Sequence, residues 1–165
     1  MRRSLLRKLM LCGEFLLSFL FLVLGKISII GESSLGDSSY KVNKLDILFN
    51  NEIENELGMK IDFSVYKSRI LMIIGAIVIG IVLIYSIVSL ILELMHKNNI
   101  LDRIEKFVPF IALVGLIVWA ITQFIPYEYM LVGKMSESIH TMDGCWVMSL
   151  IFVISTIVTN YIFGE

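Results

Sequence analysis

Three stretches of the chain run for more than twenty residues without a charge. Arg69 and Glu93 bracket positions 70–92, Lys106 and Glu128 bracket 107–127, and Asp143 and Glu165 bracket 144–164, which makes 23, 21 and 21 residues. An α-helix rises about 1.5 Å per residue, so each stretch covers roughly the 30 Å of a bilayer's hydrocarbon core. Backbone groups cannot stay unpaired in lipid, and helix is therefore the expected conformation of all three. The spans are placed at 70–92, 107–127 and 144–163.

The N-terminal segment is less regular. Its charge-free run, Phe15 to Gly25, holds only 11 residues, between Glu14 and Lys26. Read broadly, positions 9–30 form a fourth span, with Glu14 near one boundary and Lys26 near the other, both able to reach toward the headgroups. Read narrowly, Arg2, Arg3, Arg7 and Lys8 precede an apolar run of signal-peptide length, with Val23 and Gly25 ahead of Lys26. The broad reading is preferred because Ile27, Ile29 and Ile30 prolong the apolar stretch.

Lys and Arg set the expected orientation. Residues 1–8 and 93–106 carry seven in 22 positions, whereas residues 31–69 and 128–143 carry six in 55. The denser side is cytoplasmic by this rule, which puts both termini inside. Tyr66, Tyr127, Tyr129 and Trp146 suit an outer aromatic belt, with Tyr161 near the inner one. Lys67 and Arg69 flank the second span on the sparse side, against the trend. Asp102 with Glu105 reads as a capping box for the third span, Pro109 falls in its first turns and Pro126 at its end, and Asp143 can cap the fourth.

Residues 31–69 are the one sizeable piece outside these spans, an extracytoplasmic loop or cap. Leu45, Leu48, Phe49, Ile53 and Leu57 fall on one helical stripe, and Gly58 follows as a natural stop, which predicts an amphipathic helix near 44–57. Ile61, Phe63 and Val65 then alternate with Lys60, Asp62 and Ser64, a strand-like period for which Tyr40–Val42 is the visible partner.

Composition agrees with the pattern. Hydrophobic residues make up 57% of the 165 and charged ones 18%, with a mean hydropathy of +0.84. A soluble domain of this length has too much surface for its volume to hide so much apolar area. The net charge of −1 offers no basic footprint for nucleic acid. Cys12 and Cys145 fall at opposite ends of their spans and cannot pair. No nucleophile elbow, P-loop or metalloprotease motif is present.

Candidate chemistry is sparse. Glu93/His96 and Glu137/His140 repeat a spacing used in helical di-metal sites. The third span separates them by roughly 30 Å, so they cannot share an ion. Glu137, His140 and Asp143 would approach a common ligand only if their loop were helical. No metal and no cofactor is expected. Glu14 is the ionisable residue set farthest into an apolar segment, within reach of Arg7 or interfacial water. With Thr156, Thr159 and Asn160 of the fourth span it makes a candidate intramembrane polar or transport site. Ser149 and Ser155 lie beside those residues, while Thr122 and Gln123 lie toward the outer half of the third span. Ala76 with Gly80, and Ala112 with Gly115, are small-residue patches suited to helix packing.

The fold expected is all-α: four membrane helices with a small extracytoplasmic cap, outlined like many tetraspan proteins. Three classes of function remain. The first is a non-enzymatic multi-pass protein of the cell membrane that assembles with a partner membrane protein or with itself, through Leu45, Leu48, Phe49, Ile53 and Leu57. The second is a channel or transporter protomer built around Glu14. The third is an enzyme whose motif is unfamiliar.

Overall fold

The computed structural model describes residues 3–33, 36–50, 52–54, 60–62, 67–95, 102–124, 127–131 and 135–163. It is mostly helical. Helix α1 (Arg3–Val23) leads into a hairpin of β1 (Lys26–Ser33) and β2 (Gly36–Asn43). A short α2 (Lys44–Phe49), the brief strands β3 (Glu52–Glu54) and β4 (Lys60–Asp62), and the long α3 (Lys67–Leu94) follow. After α4 (Asp102–Glu105) and α5 (Val108–Ile121) come a 3-10 turn (Thr122–Phe124), the strands β5 (Tyr127–Leu131) and β6 (Met135–Met142), and α6 (Cys145–Phe163). Helix α1 packs on α3 and α6, and α5 packs on the same two, so the four helices close a ring.

Among the described residues two helices are long and apolar enough to cross a membrane, α3 from Arg69 to Leu94 and α6 from Cys145 to Phe163. The apolar segment Val108–Phe124 is shorter; its helix and final 3-10 turn rise about 27 Å together. Helix α1 has 21 residues, but Arg7, Lys8 and Glu14 interrupt its apolar run.

The all-α expectation is corrected at one end of the ring. A four-stranded antiparallel sheet in the order β2-β1-β6-β5 sits there. Ile27, Ile29 and Ile30, read as prolonging the first helix, lie in β1. The helix stops because Gly25 adopts φ of +100°, a left-handed conformation open to glycine. Beyond it, Ile27 pairs with Val42 across the hairpin, and both are buried against the bundle. Strand β1 also pairs with β6, from Ser28↔Met142 to Glu32↔Ser138. The end of α1 and the start of α6 are thereby set side by side.

The amphipathic helix is also shorter than the stripe predicts, ending at Phe49 where 57 was expected. Asn50 is extended, with φ −102° and ψ 140°, and its N–H still donates to the Asp46 carbonyl. Arg69, in the first turn of α3, donates from Nε to the Ile47 carbonyl at 2.8 Å and from Nη2 to that of Leu48. A side chain from another element thus satisfies the orphan carbonyls that a longer helix would have used. Ile53 enters β3 and pairs with Ile61 of β4, which takes Ile61 away from the Tyr40–Val42 partner. Tyr40 and Val42 instead belong to β2.

Between α3 and α5 the backbones come close. A Cβ on Gly75 would lie 2.9 Å from the Gly115 carbonyl oxygen and 3.2 Å from Trp119 Cβ, and one on Gly115 would lie 2.8 Å from Val78 Cγ1. At Gly80 an added Cβ would meet only Phe19 Cε2, at an ordinary 3.5 Å. Gly75→Ala is therefore expected to destabilise by about 1–3 kcal/mol through overpacking. Gly80→Ala should be neutral or stabilising, because alanine is the better helix former. Thermal unfolding of the two variants in detergent checks the contrast.

Candidate functional site

Apolar helices leave few places for chemistry, so the polar side chains they carry locate it. They form three layers along the bundle. At the sheet end, Lys44 is 0% and Asp143 1% exposed, with Nζ 2.7 Å from Oδ1. The Lys44 ammonium also donates to the Phe21 carbonyl at 3.0 Å and lies 5.9 Å from the centre of the Trp119 ring. Asp143 accepts from Trp119 Nε1 at 3.1 Å and caps α6 by accepting from the Cys145 N–H at 2.9 Å. Its own N–H donates to Gln123 Oε1. Strand β6 leads into Asp143 and β2 leads into Lys44, both at the same end of the sheet.

At the opposite end, Lys8 is buried and its Nζ lies 3.2 Å from Glu93 Oε2. Ser4 Oγ donates to Glu93 Oε1 at 2.6 Å, and Arg7 pairs with the buried Glu105. Glu105, expected to cap with Asp102, is thus engaged by Arg7; α4 is a separate turn, and α5 begins beyond Phe107 with Pro109 in its first turn. Arg7 reaches Glu105 rather than Glu14.

Between these layers runs the seam of α1 and α6. Glu14 Oε1 accepts from Ser155 Oγ at 2.7 Å and from Thr159 Oγ1 at 2.9 Å. Glu14 Oε2 and Asn160 Nδ2 are buried with no partner among the described residues. Thr156 is fully buried and donates to the Val153 carbonyl within its own helix. Of the four residues proposed from sequence, Glu14 and Thr159 touch, Thr156 faces its own backbone, and Asn160 has an open donor. Toward the sheet the seam continues with Ser18 and Ser149, whose hydroxyls lie 2.7 Å apart, and with stacked Phe21 and Phe152 rings at 5.7 Å.

The residues proposed as a partner-binding face divide. Leu48 is buried, while Leu45 is 40% and Phe49 76% exposed. Ile53 lies in β3, and Leu57 falls outside the described residues. Leu48 and Phe49 roof an apolar groove of about 420 Å³ between α1 and α3, lined further by Phe19, Ile73, Ala76 and Gly80. Ala76 and Gly80 therefore border this groove, whereas Ala112 and Gly115 are buried on α5, Gly115 against α3. Glu137 and His140 lie in strand β6, so the helix their metal reading required is absent. His96 is outside the described residues. Among the described residues no group of three His, Cys, Asp or Glu is placed to hold a metal.

Sequence reasoning missed the Lys44–Asp143–Trp119 cluster. Lys44 counted there only among the charges of the outer loop, and Asp143 as a helix cap and as a neighbour of Glu137 and His140. The only signal was that each stands at the edge of an apolar segment. Comparison of the chain with family models, curated proteins and solved structures gives no match.

Removing one partner of a buried pair strands the other charge. Lys44→Met and Asp143→Asn should each cost about 3–5 kcal/mol. The double variant should lose clearly less than the sum of the two. A double-mutant cycle by denaturant unfolding in detergent measures this coupling, and strict additivity would contradict it.

Proposed function

We propose that this chain is a four-span protein of the cell membrane, with both termini cytoplasmic and the sheet outside, and that it acts by assembling with a partner membrane protein. The outward faces of all four helices support the membrane placement. Leu16 and Leu20 on α1, Ile77 and Ile81 on α3, Val114 and Ile117 on α5, and Ile151 and Ile154 on α6 are all exposed. Such faces suit lipid and would be a large liability in water. Helix α1 joins the set because its charged side chains find partners inside the bundle, on α3, α4 and α6.

One observation carries the assembly reading. The polar side chains of the bundle largely serve internal contacts, while Leu45 and Phe49 of α2 remain exposed beside the α1–α3 groove. The transport reading draws on Glu14. It needs a polar route from that carboxylate to both faces, and the α1–α6 seam instead continues as the Ser18–Ser149 contact and the Phe21–Phe152 stack.

Two measurements test the proposal. With Cys12 and Cys145 replaced by serine, a cysteine at Lys41 should react with an impermeant maleimide from outside, and one at Lys106 only after permeabilisation. A photo-crosslinking residue at Phe49 should capture one discrete protein in native membranes, and Leu45→Ser should weaken that capture several-fold. A crosslinker at Ile91, on an outward face of α3, serves as the control. Equal, diffuse labelling at Phe49 and Ile91 would count against assembly through α2.

A further inference from the structure

Glu14 was expected near a membrane boundary, and the observed limits of α1 move it to the centre. It stands 11 residues from Arg3 and 9 from Val23, about 16 Å and 13 Å along the axis. The two charged layers bracket it evenly. Arg7 precedes it by seven residues, and Phe21, whose carbonyl accepts from Lys44, follows it by seven, about 10 Å each way. A glutamate side chain cannot snorkel over that distance.

The immediate surroundings hold oxygen ligands and no opposing charge. Ser155 and Thr159 both donate to Oε1, which leaves Oε2 buried and without a partner among the described residues. Arg7 and Lys8 are directed to Glu105 and Glu93, and among the described residues no basic side chain reaches Glu14. Two hydroxyl dipoles reduce the cost of a desolvated carboxylate but do not neutralise it. Each hydroxyl donates one proton and keeps lone pairs free. Asn160, next to Thr159 in sequence, also carries a buried side-chain nitrogen without a partner among the described residues.

We propose that Glu14, Ser155 and Thr159 form a binding site for one monovalent alkali cation, held between α1 and α6 in the middle of the bundle. A carboxylate with hydroxyl oxygens is a hard donor set, suited to a hard cation. The charge count selects valence: one carboxylate and one monovalent ion sum to zero, whereas a divalent ion would leave a net charge in the apolar layer. The seam toward the sheet is closed by the Ser18–Ser149 contact and the Phe21–Phe152 stack, so the ion acts as a clamp joining α1 to α6. This inference rests on α1 crossing the membrane, and the maleimide labelling described above tests that placement separately.

The test uses the full chain purified in mild detergent, with Na⁺ as the probe and choline at equal ionic strength as the reference. An ion that binds only the folded bundle raises its unfolding midpoint, by about 5–10 °C at a hundredfold excess over Kd. The rise should vanish in Glu14→Gln and require several-fold more Na⁺ in Ser155→Ala, which keeps the carboxylate. Retention of radioactive Na⁺ at one ion per chain, lost in Glu14→Gln, gives a readout independent of unfolding. The proposal is overturned if Na⁺ and choline are indistinguishable in wild type, or if Glu14→Gln retains the Na⁺ response. A midpoint that rises on acidification equally in Na⁺ and choline, and only when Glu14 is present, would make a proton the occupant and would also overturn it.

Discussion

The attachment of the sheet to the helices depends on the buried contact between Lys44 and Asp143. Neither charge can be withdrawn alone, because the one left behind would face apolar surroundings without a partner. Both are therefore held where their further contacts lie. The Lys44 ammonium is tied to the last turns of α1 through the Phe21 carbonyl and to α5 through the Trp119 ring. Asp143 opens α6 by capping it, and binds the Trp119 indole and Gln123 on the same side. Helices α1, α2, α5 and α6 and the 3-10 turn of Gln123 meet at one ion pair, beside the β1–β6 pairing that sets the end of α1 next to the start of α6.

The far end of the bundle uses the same physics with different residues. Lys8 with Glu93, and Arg7 with Glu105, join α1 to α3 and α4. For a bundle placed in lipid as proposed, Leu and Ile would gain little by leaving the acyl chains for one another, so apolar faces alone would not choose neighbours. Close glycine contacts supply part of that choice between α3 and α5. Matched charges at the two ends supply another part, because a misaligned helix would expose them to hydrocarbon. The α1–α6 seam completes the set with hydroxyl pairs and with Glu14.

Much of the helical framework was legible in the sequence. Uninterrupted apolar runs correspond to α3 and α6 almost residue for residue, since composition alone forces helix there. The first segment was misread in detail for a physical reason. Ile27, Ile29 and Ile30 are as apolar as any helix requires, and they enter a sheet because Gly25 ends α1 and because β2, and β6 over a hundred residues away, pair with β1. The stripe from Leu45 to Leu57 failed similarly, because Arg69 and the Ile53–Ile61 pairing lie outside the local window. The Glu14 site was half legible: its acid and hydroxyls stood out as polar residues in apolar segments, but nothing local showed which of them touch.

The sequence by itself determined that this chain carries long apolar helices, two of them among the described residues long enough to cross a membrane, because hydrophobic length is a local property. It also marked Glu14 as an ionisable residue that could not be left alone there. Only the tertiary structure decided how the charged residues are matched: Lys44 with Asp143, Arg7 with Glu105, Glu14 with two hydroxyls of α6. Pairing in a low-dielectric interior depends on distances of a few ångströms between segments far apart in the chain, and no local pattern encodes those distances.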